Sequence, residues 1–82
     1  MSLRQHLVSL MEIYAKARGI SPSRVATIIF SSGAMYRRLT DGADITVGRF
    51  EDAVQWFSDN WPAGVEWPEG IRRPAPKAPE AA

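Results

Sequence analysis

An all-α fold of four to five short helices is predicted by three features of this 82-residue chain. Apolar side chains recur every three to four residues over two stretches. A Ser-Pro pair marks a helix start, and glycines fall where helices would end. A chain of this length makes one small domain with a modest core. The chain has no cysteine, so neither a disulfide nor a thiolate metal site is available. Stability must come from helix packing, with or without a second copy of the chain. No apolar run approaches the roughly 18–20 residues of a membrane span. Arg4, Gln5, His6 and Glu12 interrupt the N-terminus, so it lacks a signal-peptide core. The expected location is cytoplasmic and nucleoid-associated.

The first helix is expected over residues 2–18, where Leu3, Leu7, Leu10, Met11 and Tyr14 form one stripe. Ser2 can cap its start and Gly19 can end it. A second helix begins at "SPSRV": the Ser21 hydroxyl suits the N-cap, and Pro22 suits the first helical position, where an amide hydrogen is not needed. Val25, Ala26, Ile28 and Ile29 supply its buried side. Their β-branching makes a short strand at "VATIIF" the competing assignment. Ser31 or Ser32 can cap a short third helix that runs to Thr40, with Gly42 ending it in a left-handed conformation. Thr46 caps a fourth helix over residues 47–60, whose face is Val47, Phe50, Val54, Phe57 and Trp61.

The remainder changes character. Residues 62–71 read as an extended Trp-Pro arm, and residues 72–82 as a disordered Pro/Ala-rich tail, because proline excludes regular helix. Trp61 and Trp67 either close the core that short helices leave open or anchor a dimer or another partner. Arg73, Pro76 and Pro79 fit the R-x-x-P-x-x-P pattern of SH3 ligands. A loose basic tail adding phosphate contacts through Arg72, Arg73 and Lys77 is the more economical reading.

The net charge of +1 conceals a split. Residues 1–40 carry Arg4, Lys16, Arg18, Arg24, Arg37 and Arg38 against Glu12, a net +5. Residues 41–61 carry Arg49 against Asp41, Asp44, Glu51, Asp52 and Asp59, a net −4. The remaining residues balance. Such asymmetry suggests one face for an anionic partner; its bland counterpart is neighbouring helices that solvate the surface with opposite charges.

A break of three to four residues between the second and third helices suggests a helix-turn-helix. Counted as twenty positions from Pro22 to Asp41, the fourth is Val25, the fifth Ala26, the eighth Ile29, the fifteenth Tyr36 and the eighteenth Leu39. On these residues the region resembles the helix-turn-helix of phage-repressor-type (lambda repressor-like) DNA-binding proteins. The resemblance covers about residues 20–60. Two positions depart from it: Phe30 stands where that family usually has glycine, and Ser31 where an apolar residue is usual. Gly33 is then the alternative left-handed position.

The resemblance implies a double-stranded DNA-binding transcriptional regulator, a repressor of bacterial or prophage type. It turns Tyr36 and Leu39 to the core and Ser32, Gly33, Ala34, Arg37 and Arg38 to the major groove. Arginine can donate two hydrogen bonds to guanine or pair with phosphate. Ser21, Ser23 and Arg24 are set for phosphate contacts, which position without reading sequence. Arg4, Lys16 and Arg18 can extend the basic face. Because one short helix reads few base pairs, a homodimer on two half-sites is expected. The acidic fourth helix would be left for RNA polymerase or another regulator. The rival reading is a protein-interaction adaptor that works through that acidic helix and the Trp-Pro arm.

Catalysis finds no support. Ser31 and Ser32 have no histidine base at hand, Asp41 and Asp44 read as turn residues, and there is no phosphate-cradling glycine loop. His6 alone makes no metal site. No catalytic residue, metal or cofactor is therefore expected. Met11 and Met35 read as packing residues.

Overall fold

The computed structural model describes residues 3–75, which fold into four helices: α1 (Leu3–Arg18), α2 (Pro22–Phe30), α3 (Ala34–Thr40) and α4 (Val47–Asn60). The described residues contain no strand, so the strand assignment for "VATIIF" gives way to helix. The local signals explain why. Ser21 Oγ accepts from the Arg24 amide at 3.1 Å with Pro22 opening the helix, and Thr46 Oγ1 accepts from the Arg49 amide at 3.2 Å. Each bond satisfies a backbone donor that has no partner within its own helix.

Two helices end on glycine. After α1, Gly19 has φ +70°, and the Ile20 amide reaches back to the Ala15 carbonyl at 3.0 Å. After α3, Gly42 has φ +108°, and the Ala43 amide reaches the Arg38 carbonyl at 2.9 Å. Both are Schellman closures, in which the left-handed residue carries no Cβ penalty. The second break differs from expectation. Ser31, not Gly33, takes the left-handed conformation (φ 59°), and its amide bonds the Thr27 carbonyl at 2.9 Å. Neither Ser31 nor Ser32 caps α3: the N-cap is Gly33, in ordinary right-handed geometry, without a side-chain bond.

Helix α1 packs against each of the other three helices, and α2 packs against α3. The core is Leu7, Leu10, Met11, Tyr14 and Ala15 from α1, Val25 and Ala26 from α2, and Met35 and Leu39 from α3. Ala53, Val54 and Phe57 from α4 and Ile71 complete it. Three expected core residues lie outside: Leu3 and Val47 sit in the first turns of their helices, and Ile28 is half exposed. At 100° per residue, Ile28 is roughly 110° round α2 from the centre of the buried arc made by Val25, Ala26 and Ile29.

Beyond α4 the chain turns back without regular structure. Trp61 Nε1 donates to the Val65 carbonyl at 2.8 Å and Trp67 Nε1 to the Ile71 carbonyl at 2.7 Å. The two indoles meet edge-to-face with centroids 4.9 Å apart, and Trp61 continues into Tyr14 and Phe57. Residues 72–75, assigned to a disordered tail by their composition, are instead tied to α4. Arg73 lies over the Trp67 ring at 5.2 Å and donates to the Ser58 carbonyl at 3.0 Å. Ser58 Oγ donates to the Pro74 carbonyl, and Gln55 Nε2 donates to the Ala75 carbonyl at 2.9 Å. Expectations for Ser2, for Pro76, Lys77 and Pro79, and for the rest of the tail lie outside the described residues.

Candidate nucleic-acid interface

The sequence-predicted residues fall on two adjoining surfaces. The first is the start of α2. Ser21, Ser23 and Arg24 are exposed and, with Thr27 and Ile28, line one open cleft. The Ser21 hydroxyl already accepts from the Arg24 amide, which leaves its own proton directed outward as a donor. The Ser23 carbonyl accepts from Thr27 Oγ1 at 3.1 Å, one helical turn on.

The second surface is α3. Met35 and Leu39 are buried, which pins one side of this seven-residue helix to the core. Ala34, Arg37 and Arg38 are exposed on the other side. Among the described residues no hydrogen bond or ion pair ties down the guanidinium of Arg24, Arg37 or Arg38. Ser32 and Gly33 are half-buried rather than open. The Ser32 carbonyl accepts from the Met35 amide at 3.2 Å, and Gly33 faces Ser23 and Thr27 of α2. The two surfaces therefore touch at the start of α3.

Tyr36 joins α3 to α1 instead of entering the core. It is half-buried, and its phenol donates to Glu12 Oε2 at 2.7 Å. This hydrogen bond raises the phenol above its ordinary range, with burial and the Glu12 charge adding to it. At the other end of α3, Arg4 Nη1 donates to the Leu39 carbonyl at 3.4 Å. Arg18 lies over the Tyr14 ring at 5.5 Å. Of the three residues expected to extend the basic face, these two contact the protein itself, and Lys16 is exposed.

Trp61 and Trp67, considered for a partner contact, are half-buried members of the chain's own aromatic cluster. Sequence reasoning missed Thr27, although a hydroxyl residue four after Ser23 is the spacing at which threonine bonds back along a helix. It also missed Arg73 and Ser58, whose contact depends on how the chain returns to α4.

A second groove lies between α4 and the C-terminal segment, lined by Phe50, Glu51, Asp52, Val54, Gln55 and Arg72, with Pro74. No group of acidic or histidine residues among the described residues is arranged to hold a metal ion. No described helix is long and apolar enough to cross a membrane. Neither a protein-family model, nor a curated protein, nor a solved structure matches this chain.

Proposed function

We propose that this chain is a sequence-specific double-stranded DNA-binding transcriptional regulator in which α2 and α3 act as a helix-turn-helix. One observation carries the reading: Arg37 and Arg38 stand exposed and unpaired on α3, while Met35 and Leu39 hold its opposite side in the core. A rigid helix that presents two free guanidinium groups can enter a major groove and offer paired donors to a guanine edge. Ser21, Ser23 and Arg24 supply the phosphate contacts that orient it. Residues 62–71 act as a Trp-Pro arm that completes the core rather than as a docking element.

The regulator works in the cytoplasm, on the nucleoid, as a homodimer that spans two half-sites, with the acidic α4 left for RNA polymerase or another regulator. Its chemistry is binding alone, with no catalytic step and no cofactor. The test is selection from a randomised duplex library. A defined motif should emerge within a few rounds, and an unenriched pool would count against sequence-specific binding.

The adaptor reading has one observation in its favour, the groove of Phe50, Glu51, Asp52 and Val54 on the acidic helix. The indoles it would need as anchors donate their N–H groups within the chain.

A further inference from the structure

Gly33 is the point at which the two surfaces of the candidate interface meet. Its φ is −64°, which any residue adopts, so the glycine is not required by backbone conformation. Space is the constraint. A Cβ on Gly33 would lie 3.1 Å from Thr27 Oγ1 and 3.5 Å from the Ser23 carbonyl oxygen. The first distance is shorter than an ordinary van der Waals contact. Thr27 cannot readily turn aside, because its hydroxyl is bonded to that same Ser23 carbonyl at 3.1 Å and its branched side chain is stiff at χ1. The absent side chain thus allows the start of α3 to rest directly on the first two turns of α2.

We propose that Gly33 is a positioning residue that sets the spacing between the phosphate-contacting end of α2 and the base-reading side of α3. The inference rests on the DNA-binding reading above and deepens it. Phosphate contacts at Ser21, Ser23 and Arg24 anchor one end of a rigid gauge, and Arg37 and Arg38 hang from the other. A paired hydrogen bond to a guanine edge tolerates little displacement, whereas a charge–phosphate contact tolerates more. Widening the gauge by a few tenths of an ångström should therefore cost base discrimination first and general affinity last.

The experiment measures affinity for two probes, a random-sequence duplex and the duplex that the wild-type chain selects from a randomised library. Gly33→Ala should lower the selected-to-random ratio by about fivefold or more, comparable to losing one paired base contact, with random-sequence affinity and its salt slope little changed. Gly33→Ala/Thr27→Ala removes the hydroxyl that the new methyl meets, and should restore most of the ratio. Should Gly33→Ala fail to fold, Thr27→Val widens the same approach from the α2 side and should lower the ratio in the same direction. A folded Gly33→Ala protein with an unchanged ratio overturns the inference and leaves DNA binding intact. Loss without rescue by Thr27→Ala overturns the steric mechanism. A wild-type chain that binds neither duplex overturns the DNA reading, and the inference with it.

Discussion

The Tyr36 phenol donates a 2.7 Å hydrogen bond to Glu12 Oε2, joining residues 24 apart in sequence and fastening α3 to α1. Tyr36→Phe keeps the ring and deletes that bond. Because the pair is largely open to solvent, the loss should be about 1 kcal/mol or less. Its pH dependence identifies it. Folding raises the Tyr36 pKa, first through the Glu12 hydrogen bond. The contribution is therefore full below the unfolded tyrosine value of about 10 and disappears as pH rises through the folded value. Chemical denaturation of both proteins at neutral and at alkaline pH should show a gap that closes only at the alkaline end.

Ser31 is the only non-glycine residue with positive φ among the described residues. A left-handed conformation costs an L-residue roughly 1–2 kcal/mol relative to glycine, before the entropy glycine loses on folding. Ser31→Gly should accordingly be neutral or stabilising by up to about 1 kcal/mol, and Ser31→Val destabilising by more than 1 kcal/mol. Thermal unfolding of the pair reads both signs.

Ile71 is 7% exposed and Trp67 bonds its carbonyl, so the segment beyond α4 belongs to the folded unit. Ile71→Ala should cost about 2–4 kcal/mol. In a domain of this size each kcal/mol lowers Tm by roughly 4–8 °C. Arg73→Ala, which removes a ring contact and two bonds to Ser58, should cost less, about 1 kcal/mol. If Trp67 and its neighbours served only a partner, neither change would move the isolated chain's melting temperature.

The local rules carried far in this chain and failed where tertiary contacts decide. Ser21-Pro22, Thr46, Gly19 and Gly42 mark boundaries through backbone chemistry confined to a single turn, and that chemistry is written in neighbouring residues. At the α2–α3 break the same rules pointed to Gly33 as the left-handed residue. There the glycine answers to the approach of another helix, and Ser31 bears the strained conformation. Composition also mistook residues 72–75 for a free tail. A Pro- and Arg-rich stretch looks unstructured until a buried Ser58 and the face of Trp67 are placed beside it. The two arginines of α3 were legible as exposed because their neighbours Met35 and Leu39 keep core spacing. The fact that α2 and α3 touch through a missing Cβ was not.

The central claim is that Arg37 and Arg38 engage a duplex, and the salt dependence of binding to random-sequence DNA tests it most directly. Both side chains are exposed and unpaired among the described residues, so replacing them with alanine should leave stability within about 0.5 kcal/mol of wild type. Log affinity should fall linearly with log salt for the wild-type chain. Arg37→Ala/Arg38→Ala should flatten that slope by about 1.8 units while weakening binding at low salt. A wild-type chain with no measurable affinity for duplex DNA, or a double variant with the wild-type slope and affinity, would contradict the account.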